Sequence, residues 1–102
     1  MKEETSLIVH FIIALVVLGI AAVLNKQMHP EDWAIIVLVI GVVIGMELIN
    51  TSVENLVDVI SFRYNYNAKK IKDISAAATL TLTLTAIAVG LIIFIPKIIA
   101  FF

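Results

Sequence analysis

Cysteine is absent from this 102-residue chain, which excludes disulfides and thiolate metal sites. There are only two histidines, so the ligands for a structural zinc site are lacking. Basic residues are few, seven Lys and Arg against eight Asp and Glu. They form no stripe with interleaved aromatics, so nothing points to nucleic acid, and the formal charge of −1 names no partner. What is abundant is hydrocarbon. Hydrophobic residues make up 62% of the chain and the mean hydropathy is +1.11, whereas a soluble domain is about 45–50% apolar. The composition is that of an integral membrane protein with a single domain, residues 1–102.

Three apolar stretches predict three transmembrane helices in an all-α fold: about 6–24, 33–61 and 74–95, the last ended by Pro96. Each is near the ~20 residues needed to cross ~30 Å of hydrocarbon. The first is not a signal peptide. Lys2 is followed by Glu3 and Glu4, the run is too long for an h-region, and no small-residue cleavage site precedes a soluble chain. Pro30, Glu31 and Asp32 suit the first turn of the second helix, and Trp33 suits the interface. The alternation Thr79-Leu80-Thr81-Leu82-Thr83-Leu84-Thr85 imitates a strand. A lone strand leaves its backbone unpaired in lipid, so a helix is expected, with threonine hydroxyls bonded back to the preceding turn or across to a neighbour.

The second loop, about Phe62 to Asp73, carries Arg63, Lys69, Lys70 and Lys72, against one lysine in the first loop. The positive-inside rule puts the second loop in the cytoplasm, the N-terminus inside and the C-terminus outside.

Inside the second apolar helix lie Glu47, Asn50, Glu54 and Asp58. At 100° per residue they point to about 0°, −60°, −20° and +20°, one stripe about 80° wide. An acid within hydrocarbon costs several kcal/mol and marks function rather than packing. Glu54, near the interface and able to meet Glu4, suits Mg²⁺, which prefers oxygen ligands. Glu47 lies about 10 Å deeper, and suits a general base acting on a lipid hydroxyl. Lys72-Asp73 opens the third helix at the same level, where a lysine is a point charge for phosphate. Gly41 and Gly45 form a close-packing GxxxG pair, and Ser75-Ala76-Ala77-Ala78 is a feature of the same kind. His10 reads as a hydrogen-bonded packing residue and His29 as a loop residue.

The run Glu47-Leu48-Ile49-Asn50-Thr51-Ser52-Val53-Glu54-Asn55-Leu56-Val57-Asp58 resembles the E-x-x-N-[ST]-x-x-E-x-x-x-D signature of the prokaryotic diacylglycerol kinase and undecaprenol kinase family. Lys72-Asp73-Ile74-Ser75-Ala76-Ala77-Ala78 is similar to the start of that family's last helix, and Glu4 with His10 to the family's E-x5-H at its first. The resemblance implies a helical-bundle homotrimer with active sites shared between subunits in the bacterial plasma membrane. It implies Mg²⁺- and ATP-dependent phosphorylation of a membrane lipid alcohol at the cytoplasmic interface. Carried across, Glu47 matches the general base, Glu54 and Glu4 the metal ligands, and Lys72 and Asp73 the nucleotide-contacting pair. Asn50 and Asp58 match supporting residues.

Departures from the pattern bear on these expectations. The chain begins almost at the first membrane helix, so the family's N-terminal surface helix is expected to be missing. Ser6 and Ile8 stand where amide and basic residues are usual, and Arg63 and Asn65 where the diacylglycerol kinases have an acid and a histidine. Thr51 after Asn50 is more like the undecaprenol kinases, so undecaprenol is the expected substrate and diacylglycerol the next. The alternative is a non-catalytic membrane module derived from the family.

Overall fold

The computed structural model describes residues 2–60 and 66–102, with side chains from residue 6 onward. Three α-helices follow one another: α1 (Lys2–Val23), α2 (Pro30–Ile60) and α3 (Tyr66–Phe101). No strand occurs among the described residues. All three helices are long and apolar enough to cross a membrane.

Local chemistry sets the helix ends. A short 3₁₀ turn, Asn25–Gln27, closes α1. Pro30 then occupies the first position of α2, where its missing N–H costs nothing. Asp32 reaches back to accept a hydrogen bond from the His29 N–H at 2.9 Å, as an acid at the third helical position does in a capping box. Glu31 and Asp32 also meet the positive end of the helix dipole.

The third helix is longer than the sequence suggests at both ends. It starts at Tyr66 rather than near Ile74, so residues 66–73 of the expected second loop are helical, and 61–65, Arg63 and Asn65 among them, lie outside the described residues. Pro96, expected to end it, lies inside it. Proline removes one backbone donor, yet membrane helices tolerate it where neighbours compensate. Here the next residue, Lys97, is fastened to Asp32 of α2 at 3.0 Å. The alternating threonines behave as a helix requires: Thr79, Thr81, Thr83 and Thr85 each donate to the carbonyl four residues earlier, at 2.8–3.2 Å.

The helices run up, down and up, in a bundle of 56 × 21 × 20 Å. The core is thin. Ala21, Ile36 and Ile93 form its buried centre, with Val17, Trp33, Val89 and Phe94 packed against it. The outward faces remain apolar: Leu15, Leu38, Val59 and Ile92 are each at least 65% exposed. In water such faces would form a patch far beyond the few hundred Å² that soluble proteins expose. In a membrane they meet lipid or another subunit. Among the described residues the GxxxG pair meets no close-packed neighbour, since a Cβ built at Gly41 or Gly45 would meet nothing within 4 Å.

Candidate functional site

The stripe on α2 is graded by depth. Glu47 and Asn50 are buried, Glu54 is half-buried and Asp58 is exposed. The gradient follows helical rise: Asp58 lies about 16 Å along the axis from Glu47, at the end of the bundle where α2 stops and α3 begins.

Each polar group is tied to a neighbouring helix or turn. Ser6 on α1 donates its hydroxyl to Glu47 Oε1 at 2.8 Å. His10, one turn further along α1, places Nε2 4.0 Å from Glu47 Oε2. Its Nδ1 sits 2.7 Å from the Ser6 carbonyl oxygen. One helical turn of α1 thus presents a hydroxyl and an imidazole to one carboxylate. Asn50 bridges α2 to α3: its Oδ1 accepts from Ser75 Oγ at 2.7 Å, and its Nδ2 donates to Glu54 Oε1 at 3.3 Å. The two bonds fix which way the amide points. Further out, Lys72 Nζ donates to Asp58 Oδ1 at 2.7 Å, and Lys69 Nζ to Asp73 Oδ2 at 3.1 Å.

Most sequence-predicted positions therefore gather at one end of the bundle. Glu47, Asn50, Glu54, Asp58 and Lys72 form a ladder of polar groups there. Lys72 reaches Asp58 of α2, and Asp73 is paired with Lys69 one turn earlier on α3. The side chain of Glu4 lies outside the described residues. Among the described residues no three acids or histidines converge as a ready metal cage. The donor chemistry nevertheless suits Mg²⁺, which keeps several waters and takes one or two carboxylates together with substrate phosphates.

Three contributors escaped the sequence reading or were undervalued by it. Ser6 stood out only as a departure from a usual residue type, Ser75 only as a small packing residue, and His10 as a hydrogen-bonded packing residue that helped carry the family resemblance. The signal was present for His10 and Ser6: an intramembrane histidine four residues after a serine shares a helix face with it. For Ser75 the pairing depends on how α2 and α3 align, which one sequence does not specify.

An apolar groove of about 300 Å³ starts at His10 and runs between the helices past Ala14, Val17, Ile40 and Gly90. A second polar cluster lies at the opposite end of the bundle. Asp32 Oδ2 there accepts from Lys97 Nζ at 3.0 Å and from the His29 backbone at 2.9 Å, with the Asp32 and Lys97 side chains 18% and 15% exposed.

The sequence pattern of the family described as prokaryotic diacylglycerol kinase matches residues 1–94. The undecaprenol kinase of Bacillus subtilis (strain 168) is 39% identical over 67 residues, 66% of this chain and 54% of that protein. The chain thus spans about half the length of the curated relative it matches. No solved structure matches it. With the match running over nearly all of the three helices and the whole polar ladder, the chain belongs to the prokaryotic diacylglycerol kinase family.

Proposed function

We propose that this chain is a lipid kinase of the bacterial plasma membrane, transferring the γ-phosphoryl group of ATP to the hydroxyl of a membrane alcohol. The observation that carries the reading is Glu47: a buried carboxylate in an apolar helix, held by Ser6 and adjoining an apolar groove. Phosphoryl transfer needs positioning and charge stabilisation more than covalent chemistry from the protein. The ladder supplies both. Glu47 takes the hydroxyl proton, and the groove beyond His10 suits the hydrocarbon tail. Asn50, locked between Ser75 and Glu54, holds the Glu54 carboxylate in place. Glu54, with Glu4, would hold Mg²⁺, which neutralises phosphate charge when bound. Lys72 and Asp73 are assigned to the nucleotide and Asp58 to support of Lys72. Undecaprenol is favoured over diacylglycerol, on Thr51 and on the name of the Bacillus relative.

Arg63 and the basic first turns of α3, with Lys69, Lys70 and Lys72, favour an orientation of this end toward the cytoplasm, where ATP is, with the N-terminus inside and the C-terminus outside. A homotrimer with shared sites accounts for the apolar outer faces and the unpartnered Gly41 and Gly45. The chain then acts as a single transmembrane domain.

The test is MgATP-dependent phosphorylation of undecaprenol and of diacylglycerol in mixed micelles. Turnover on undecaprenol at a higher kcat/KM is expected. No turnover on either lipid by folded protein would overturn the kinase reading. One observation favours the rival, a non-catalytic module: Lys72 is already engaged by Asp58. Nucleotide titration separates the two, because a kinase shows Mg²⁺-dependent ATP binding that Glu54→Ala removes.

A further inference from the structure

The lipid hydroxyl's proton has to go somewhere after Glu47 takes it. A carboxylic acid in a buried site cannot start a second cycle, and Glu47 is only 6% exposed. Among the described side chains of α1, His10 is able to relieve it.

His10 Nδ1 lies 2.7 Å from the Ser6 carbonyl oxygen. A carbonyl oxygen only accepts, so Nδ1 carries the hydrogen. In the neutral ring the other nitrogen then has a bare lone pair, and that nitrogen, Nε2, faces Glu47 Oε2 at 4.0 Å. The backbone thus selects the tautomer and aims the basic nitrogen at the carboxylate, as second-layer carbonyls do for working histidines. Ser6 completes the arrangement. Its carbonyl fixes the imidazole and its hydroxyl fixes the other oxygen, Glu47 Oε1, at 2.8 Å. Oε1 is anchored, so Oε2 is the oxygen left facing His10. The 4.0 Å separation needs to close by roughly 1 Å to make a hydrogen bond, a side-chain adjustment rather than a helix movement.

Resting on the kinase reading, we propose that His10 is a positioning residue that receives at Nε2 the proton Glu47 removes from the lipid hydroxyl. The lipid O–H bond breaks and its proton passes to Glu47 Oε2 as the lipid oxygen bonds the γ-phosphorus. The bond from that phosphorus to the bridging oxygen breaks, and its electron pair leaves with ADP. The proton then moves from Oε2 to His10 Nε2, restoring the carboxylate and leaving an imidazolium. The imidazolium returns the proton to water once the products have gone.

The two nitrogens can be tested separately. His10→Asn keeps a donor near the place of Nδ1 and has nothing at Nε2; His10→Gln puts an amide near Nε2 that cannot take up a proton. Both variants are expected to lose about tenfold or more in kcat while KM for ATP and for lipid stays within about twofold. Added imidazole should restore part of the rate to His10→Ala. A His10→Asn variant with the parent kcat would overturn the proposal, as would a loss that appears only in KM. Nitrogen-15 spectra of the His10 ring in micelles decide the pairing without any turnover. The Nδ1–H tautomer and an Nε2 signal that moves on Glu47→Gln are expected; the opposite tautomer or an unmoved signal overturns it. A chain that phosphorylates nothing yet shows the moved signal would sink the kinase reading and keep the pair.

Discussion

The two ends of the bundle use the same materials differently. At each end an acid on α2 meets a lysine on α3: Asp32 with Lys97, and Asp58 with Lys72. The Asp32 end is closed. Its carboxylate collects an ammonium and a backbone N–H on one oxygen, and both side chains of the pair are under a fifth exposed. Such a cluster gathers its partners on one half-buried oxygen and ties two helices beside a proline. The Asp58 end is open. Its lysine and acid are 38% and 61% exposed, and among the described residues the carboxylates behind them each accept one hydrogen bond, one from a hydroxyl and one from an amide at 3.3 Å. A buried polar network that is fully satisfied specifies structure, whereas one with spare acceptors has room for a ligand. The acid at the closed end holds helices together, and those at the open end are the ones proposed to act.

The largest expected effect breaks the comparison if it fails. Glu47→Gln should lower kcat by at least about a hundredfold, the scale of a lost general base, with the unfolding temperature in detergent little changed. Asp32→Asn should do the opposite, lowering that temperature by a few degrees and leaving kcat near the parent value. Paired thermal melts and rate measurements check both, and a tenfold kcat loss in Asp32→Asn would show that the closed end is not merely structural. Next in size, Glu54→Gln should raise the Mg²⁺ concentration for half-maximal rate by about tenfold, since a charged carboxylate ligand becomes a neutral amide carbonyl; a magnesium titration at saturating lipid reads it. Smaller again, Ser75→Ala removes the hydrogen bond that orients Asn50. Membrane hydrogen bonds average about 0.6 kcal/mol and reach about 1.7, so a loss of that order is expected in unfolding titrations, with a three- to tenfold fall in kcat. The smallest effect is the control. Thr81 bonds back to Ala77 within its own helix and is exposed, so Thr81→Ala should stay within about 0.5 kcal/mol and leave the rate alone.

Much of this was legible in the order of residues. The three spans follow from apolar length, and the start of α2 from Pro30 and Asp32, because both depend on local chemistry alone. The acidic stripe was readable from spacing, since 3.6 residues per turn fixes direction without any partner. The ends of α3 were not. Tyr66 to Asp73 is polar enough to read as loop, and proline reads as a stop; what carries the helix through both is contact with α2, at Asp58 and at Asp32. The same reason hid Ser75 and the closeness of His10 to Glu47. These pairings depend on the axial offset between helices, set by thin packing at Ala21, Ile36 and Ile93 rather than by any motif.

The length of α3 reaches beyond the site. Its 36 residues extend roughly 54 Å, against about 30 Å of hydrocarbon, while α1 with 22 residues extends roughly 33 Å. The long rod is tied to α2 toward both ends, by Lys97 to Asp32 and by Lys72 to Asp58. A thinner bilayer has to be met by leaning, and two helices fastened at both ends lean as one body. The depth of Glu47 below the membrane surface is then expected to follow the acyl chains around the protein, while its distance from Lys72 stays fixed by the ties.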